Sequence, residues 1–367
     1  MISKEHLIEI GNQLGFELVR VCSAEPFTEY ERTINDRINA GFYPEELLVH
    51  EGVREFCLDP NICLPGARSI ISMGFRYYSD LLTDLTRPGD PHGVLARANQ
   101  RDVYAEVRRR TDMFTEILRE KGVKVAERSH VPHKMAALRA GLGYQGKNSL
   151  IQTKDFGSWV TLSSLITDAN LEADEPQKNN CGSCQACVKA CPTKAIIEPG
   201  VVRGSRCIDY LAGKTGTIPR ELREGMGNRI VSCDICQDVC PNNRGAKGVE
   251  KGIPQFDPFY RRSPSLIPLL EISEEDFRRN FLNCGFMDFE GEYLKRNAAV
   301  ALGNIGDPVA IEPLARALKG GSYILKIHSA WALGRFEDVE AKGALRDVLS
   351  IEENEEVAKE IAMAMEK

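Results

Sequence analysis

The chain has 367 residues, of which 43% are hydrophobic and 27% charged, and its formal net charge is −6. This length exceeds one ordinary core and predicts two or three domains. Since no apolar run resembles a membrane span or a signal peptide, we expect a globular cytoplasmic protein without a membrane partner. The negative net charge argues against non-specific nucleic-acid binding, but it says nothing about one local basic face.

In the first part of the chain, residues 1–172, the sequence pattern predicts a domain of mixed helices and strands. The strand-like runs are 17–22, 68–78, 123–127 and 159–167. Between them, residues 101–121 place apolar side chains close to one helical face, with Gly122 as a stop signal. This pattern indicates a surface helix that packs on a sheet.

A glycine-rich segment in this domain resembles a phosphate-binding loop only superficially. Gly141, Gly143 and Gly146 match G-x-G-x-x-G. They follow a predicted helix at 132–140 and precede a predicted strand at 149–153, whereas phosphate-binding glycines follow a strand and open a helix. We therefore interpret Gly141 as a helix C-cap and do not expect nucleotide binding there.

Residues 173–245 contain the most specific motif of the chain. Cys181, Cys184, Cys187 and Cys191 form the C-x2-C-x2-C-x3-C-P run of bacterial two-cluster ferredoxins, in which the fourth cysteine ligates the other cluster. A second run, Cys233, Cys236 and Cys240 followed by proline, lacks its first member, which Cys207 can supply. We predict two 4Fe–4S clusters, one bound by Cys181, Cys184, Cys187 and Cys240, the other by Cys191, Cys207, Cys233 and Cys236.

Structural zinc is the alternative to iron–sulfur clusters. Zinc favours separate pairs of C-x2-C ligands, whereas consecutive x2 spacings closed by x3-C-P fit a cubane better. Two clusters relay single electrons, so the chain is expected to be an intracellular electron-transfer protein or reductase. The large preceding domain implies a second redox centre or a substrate site.

The last part of the chain contains an internal repeat. A helical connector at 246–290, with prolines and aromatic residues between 254 and 259, leads to residues 291–367. There, residues 296–307 match 327–338 at an offset of 31, with small residues at the helix crossing and an aspartate at the turn. Two helices per unit predict HEAT-like repeats. Their role as a plain helical cap and their role as a partner-binding surface remain equally open.

The order of these parts resembles the epoxyqueuosine reductase family, which is related to reductive dehalogenases. The specific stretches are 64–69, 139–148, 157–159, the eight cysteines, 227–229 and the terminal repeat. The resemblance implies an α+β fold with a nitroreductase-like cobalamin-binding domain, a bacterial ferredoxin-like two-cluster domain and HEAT-like repeats. It also implies base-off cobalamin, reduction of epoxyqueuosine in tRNA to queuosine, and an electron donor such as ferredoxin or flavodoxin.

The resemblance further implies roles for individual residues. Lys147, Asn148, Ile151 and Leu162 match positions that line the corrin, the last two through backbone groups. Glu127 occupies the position of the family's proton-donating aspartate. This carboxylate is one methylene longer, so its reach differs, and burial would need to raise its pKa for it to deliver a proton. One alternative is a cobalamin and iron–sulfur reductase that acts on another substrate or on a corrinoid protein, and another is a non-catalytic electron-transfer or scaffold protein.

Overall fold

The computed structural model describes residues 2–42, 58–79, 84–100, 102–126, 131–246, 263–281 and 290–366. Glu127 and the Pro- and aromatic-rich stretch 254–259 lie outside these ranges. The strands are β1 (Leu18–Ser23), β2 (Ser69–Arg76), β3 (Val94–Leu95), β4 (Tyr144–Gln145), β5 (Ile151–Gln152), β6 (Val160–Thr167), β7 (Ile196–Glu198), β8 (Val201–Val202) and β9 (Arg229–Val231).

The α-helices are of very different lengths, from single turns near the cysteines to a helix of 18 residues. They are α1 (Lys4–Gln13), α2 (Thr28–Asn39), α3 (Pro60–Cys63), α4 (Val103–Glu120), α5 (His133–Arg139), α6 (Ala186–Ala190), α7 (Ile208–Gly213), α8 (Arg220–Met226), α9 (Ile235–Asp238), α10 (Leu266–Leu269), α11 (Glu274–Phe281), α12 (Gly291–Ile305), α13 (Ile311–Gly320), α14 (Tyr323–Leu333), α15 (Val339–Leu349) and α16 (Glu355–Met365).

The chain divides into two compact units, each built from separate stretches of sequence. The first comprises the described parts of 1–80, 103–205 and 235–252. The second comprises the described parts of 81–102, 206–234 and 253–367. Each unit therefore contains part of the cysteine-rich region.

A three-stranded antiparallel sheet with the order β1-β2-β6 forms the centre of the first unit. Helix α4 lies on one face, where the hydroxyls of Thr111 and Ser163 are 2.9 Å apart. Helix α5 packs on the other face, where Ala136 shares a core with Ile70 and Ile166. Because both faces are covered, strand β2 is buried along almost its whole length.

Most of the predicted elements of this unit are confirmed, and one is wrong in extent. Helix α4 corresponds to the predicted helix at 101–121, and Gly122 follows it with φ of 77°. The predicted strand at 123–127 is reduced, in its described part, to a single bridge between Val125 and Thr167. The amide of Lys124 instead donates to the Asp168 side chain at 2.9 Å, which replaces a ladder hydrogen bond.

The glycine-rich segment joins α5 to a small antiparallel hairpin of β4 and β5. Gly141 follows α5 with φ of 63°, as expected of a helix C-cap. The segment therefore follows a helix and opens a hairpin, and the prediction that it is no phosphate loop is confirmed in its order of elements.

The second unit combines helices α7 and α8, the short parallel pair β3 and β9, and the C-terminal helices. Leu211, Met226, Leu302 and Leu345 belong to one continuous hydrophobic core. The segment 206–234 therefore packs directly on the repeats.

The predicted repeat is visible as two equivalent close approaches of helices. A Cβ atom at Gly303 would lie 2.7 Å from the Cα atom of Ala332, and one at Gly334 would lie 2.7 Å from the Cβ atom of Ala364. Asp307 and Asp338, which match at the same offset of 31, both accept a backbone hydrogen bond at the start of the following helical turn. These features confirm the prediction of small residues at the crossings and aspartate at the turns.

Candidate functional site

The four thiols predicted for the first cluster all belong to the first unit. The amide of Cys184 donates to the carbonyl of Cys181 at 3.1 Å, and Cys187 lies in the single turn of α6. Cys240 precedes the 3-10 turn Pro241–Asn243. All four are half-buried free thiols.

The structure brings Cys181 close enough to both Cys187 and Cys240 to raise the pKa of each. Burial raises the pKa of Cys240, and the nearby charges of Cys181 and Cys184 raise it further. Burial likewise raises the pKa of Cys187, with additional contributions from Cys181 and Cys240. Four soft sulfur donors in one region of the fold are the kind of ligand set that a 4Fe–4S cluster requires.

The thiols are not gathered around one point. Within the described ranges, no three His, Cys, Asp or Glu side chains lie close enough to bind a single metal ion. A cubane presents four iron atoms to four thiolates, so its ligands are spread around a body several ångströms across.

The thiols predicted for the second cluster are divided between the units. In the first unit, the amide of Ala195 donates to the sulfur of Cys191 at 3.3 Å. In the second unit, burial raises the pKa of Cys207 to about 12, and the charges of Asp209 and Cys233 add to this effect. Cys207 and Cys233 are therefore neighbours within their own unit, and Cys236 lies in α9 of the first unit.

Lys147 binds the first cysteine loop. Its Nζ atom donates to the carbonyl oxygens of Gly182 at 2.8 Å and Cys184 at 2.7 Å. The positive charge thus lies beside the loop that carries Cys181 and Cys184. Lys147, which the family resemblance places in the corrin lining, thus contacts the backbone of the cysteine loop.

Asn148 and Gln152 link the same hairpin to the second cysteine run. The Nδ2 atom of Asn148 donates to the carbonyl of Cys236 at 3.5 Å, and its Oδ1 atom accepts from Nε2 of Gln152 at 3.4 Å. The sulfur of Cys240 lies 3.8 Å from Oε1 of Gln152. The hairpin amides therefore contact the backbone of Cys236 and lie beside the sulfur of Cys240.

Two residues of this environment were missed by the sequence interpretation, namely Tyr144 and Gln152. They are direct partners across the β4–β5 hairpin, and paired residues point to the same side of a hairpin. Burial raises the pKa of Tyr144, and the charges of Cys181 and Cys240 raise it further. The hairpin pairing is the signal that could have identified them.

Ile151 and Leu162 lie in one small apolar cluster with Ala137 and Leu142. Ile151 is 3% exposed and Leu162 is half-buried, so only Leu162 presents part of its side chain at a surface. On the same strand, two residues further on, the buried hydroxyl of Ser164 has no hydrogen-bond partner among the described residues. An apolar wall with hydrogen-bonding groups nearby fits a corrin, which is an apolar ring with amide substituents.

The candidate acid Glu127 falls outside the described residues, but the chain on either side of it is anchored. The amide of Ala126 donates to the carbonyl of Ile166 at 3.1 Å, and Val131 is buried in the core beneath α5. The described structure thus fixes where this segment leaves and rejoins the first unit.

Two sequence families match separate parts of the chain. A family described as 4Fe-4S double cluster binding domain matches residues 180–243, and HEAT repeats match residues 289–366. The predictions of two 4Fe–4S clusters and of HEAT-like repeats are confirmed by these matches. In the described part of the chain, no helix is both long enough and apolar enough to cross a membrane.

Several named relatives match almost the whole chain. An epoxyqueuosine reductase from Bacillus cereus is 32% identical over 99% of this chain and 97% of its own length. One from Vibrio cholerae is 35% identical over 88% of both chains. A solved epoxyqueuosine reductase with an epoxyqueuosine-modified tRNA stem loop has a TM-score of 0.90, with 29% identity over 99% of this chain and 98% of its own. A Bacillus subtilis structure with the catalytic loop swung out of the active site has the same score, identity and coverage.

Proposed function

Because the chain belongs to the epoxyqueuosine reductase family, we propose that it reduces epoxyqueuosine in tRNA to queuosine. The single observation that carries this proposal is the near-complete coverage at 32% identity. The eight cysteines in two-cluster order agree with it. The chain is thus an oxidoreductase, and its alternatives as a carrier or scaffold have no observation that favours them.

The proposal assigns each cysteine a cluster. Cys181, Cys184, Cys187 and Cys240 hold the first, which is supported by the proximity that raises the pKa of Cys187 and Cys240. Cys191, Cys207, Cys233 and Cys236 hold the second, as the crossing of the fourth ligand in bacterial ferredoxins requires. Electrons enter from a donor such as ferredoxin or flavodoxin, in the cytoplasm.

The corrin site is also part of the proposal. When bound, cobalamin supplies a low-potential metal that can drive removal of the epoxide oxygen. Leu162 and Ile151 would line the corrin through their backbone groups, beside the apolar cluster to which their side chains belong. Lys147 and Asn148 would line it as well, and they bind carbonyls of the cysteine loops.

Removal of the epoxide oxygen as water needs two electrons and two protons. We assign one proton delivery to Glu127, the carboxylic acid at the family's aspartate position. A carboxyl group must be protonated to donate, so burial of Glu127 near the substrate would have to raise its pKa.

We also propose a division of labour along the sequence. Residues 1–172 bind cobalamin and substrate, residues 173–245 carry the clusters, residues 246–290 connect them to the repeats, and residues 291–367 form the HEAT-like repeats. The two compact units cut across these boundaries, since both contain cluster cysteines.

The test is turnover with the complete chain. Anaerobically prepared protein with reconstituted clusters and added cobalamin is incubated with a chemical reductant and epoxyqueuosine-containing tRNA, and nucleosides are identified by mass spectrometry. We expect conversion to queuosine that depends on cobalamin and is lost in Cys236→Ser. Failure to form queuosine with both cofactors loaded would contradict the assigned substrate.

A further inference from the structure

Helix α12 of the first repeat contains two adjacent polar side chains that are almost completely buried. Arg296 is 0% exposed and Asn297 is 1% exposed. The guanidinium of Arg296 donates to four backbone carbonyls, those of Leu211 at 3.1 Å, Ala212 at 3.0 Å, Lys214 at 2.8 Å and Gly216 at 2.5 Å. Its Nε atom donates to Oδ1 of Asn297 at 3.0 Å.

These acceptors belong to the stretch that carries two predicted ligands of the second cluster. Cys207 is the N-cap of the six-residue helix α7, and Arg296 binds the carbonyls at the other end of that helix and just beyond it. Such terminal carbonyls have no partner within the helix. Arg296 therefore fixes the end of a short element whose start is Cys207.

Asn297 joins this element to the stretch that leads to Cys233. Its Nδ2 atom donates to the carbonyl of Ala212 at 2.9 Å and to that of Ile230 at 2.8 Å. Ile230 lies in β9, three residues before Cys233. One amide thus links the backbones that follow Cys207 and precede Cys233.

The fold of the repeat does not itself require the guanidinium of Arg296. At the offset of 31, the position equivalent to Arg296 is Ile327, which is also buried, at 4% exposure. A buried guanidinium is costly unless its hydrogen bonds are satisfied, and apolar replacements of buried ions are often as stable or more so. Burial lowers the pKa of Arg296 to about 10, so the side chain remains charged near neutral pH. The presence of Arg296 therefore indicates that the carbonyls it binds must be held in fixed positions.

We propose that Arg296 and Asn297 are positioning residues for the second iron–sulfur cluster. They act through backbone carbonyls to hold Cys207 and Cys233 at the separation that the cluster requires, and they make the first HEAT-like helix part of the cluster's support. This inference rests on the proposed assignment of Cys207 and Cys233 as ligands.

The experiment compares full-length Arg296→Met, Arg296→Lys and Asn297→Ala with the parent after anaerobic reconstitution. Iron per chain is counted, and both clusters are followed by electron paramagnetic resonance during a redox titration. Leu345→Ala is the matched control, because it opens a cavity in the same core from helix α15 and removes no hydrogen bond to residues 206–234. The first cluster is an internal standard, since its predicted ligands lie in the other unit.

We expect the parent to bind about eight irons and Arg296→Met about four, with loss of one cluster signal. Arg296→Lys and Asn297→Ala should retain the second cluster with a shifted midpoint potential, and Leu345→Ala should keep both signals unchanged. If Arg296→Met keeps eight irons and the parental potentials, or if Leu345→Ala loses the same cluster, the inference is overturned while the proposed function stands. A parent with only about four irons would overturn the ligand assignment and, with it, this inference.

Discussion

Replacing Lys147 with methionine should loosen the loop that carries Cys181 and Cys184. The substitution preserves most of the side-chain volume but removes a charged donor from two backbone carbonyls. The bond to Gly182 is exposed and contributes little, whereas the bond to Cys184 is partly buried. Because charged hydrogen bonds contribute about 1.5–3 kcal/mol each, we expect a net loss of about 2 kcal/mol.

A loss of this size has a measurable kinetic consequence. At about 1.4 kcal/mol for each factor of ten, the loop should open roughly thirtyfold more often. The assay is the rate of iron transfer from the reconstituted protein to a chelator under anaerobic conditions. Lys147→Arg retains the charge and some donors, and Lys154→Met removes an exposed lysine of the same domain as a control.

The same variants separate two possible roles of Lys147. If the side chain serves only the corrin, Lys147→Met will weaken cobalamin binding and release iron at the parental rate. That combination of results would refute the argument from the two hydrogen bonds. Accelerated iron release with unchanged cobalamin affinity would place its main effect at the cluster loop.

Three further predictions address the proton donor, the repeat and the pH response. Glu127→Gln should lower turnover by roughly 10²–10⁴-fold at unchanged iron and cobalamin content, and full activity would remove Glu127 from the mechanism. Gly303→Ala should lower the free energy of unfolding by about 1–3 kcal/mol in denaturant, because the added Cβ would lie 2.7 Å from Ala332. Gly343→Ala, whose added Cβ would point into open space, should raise it by about 0.5–1 kcal/mol. Equal effects would contradict the close crossing. Burial lowers the pKa of His328 well below 6.5. As the pH falls below 6.5, the imidazole therefore binds a proton in the unfolded chain but not in the folded one. The free energy of unfolding should then drop by up to about 1.4 kcal/mol per pH unit. His328→Gln should show a shallower slope between pH 5 and 6.5 in denaturant unfolding.

The local elements of the fold were largely predictable because their signals are local. The apolar face of α4 and the glycines at 303 and 334 depend on spacings of a few residues or on one exact repeat offset. The composition of the compact units was not predictable in the same way. Residues 206–234 join the repeats through contacts with residues far away in sequence, which no local spacing records.

The candidate site likewise has features that the local sequence predicts and features that it does not. The cysteine spacing alone identified eight candidate ligands and the order in which they cross. The acceptors of Lys147, in contrast, are backbone carbonyls of Gly182 and Cys184, which have no residue signature. Tyr144 and Gln152 could have been proposed from the hairpin register if the segment around them had been predicted as two paired strands.

The contacts of the repeats bear on their two possible roles, a cap and a partner surface. Helix α12 packs on the cysteine-rich stretch, because Arg296, Asn297 and Asn304 all donate to backbone carbonyls of residues 211–230. Among the described residues of the repeats, the large exposed apolar side chains lie elsewhere, at Val309, Tyr323, Val339, Ile351 and Met365. A cap therefore accounts for the first helix, whereas a partner would meet surfaces outside it. Because the two roles use different helices, the repeats can stabilise the cysteine stretch and bind a partner without conflict.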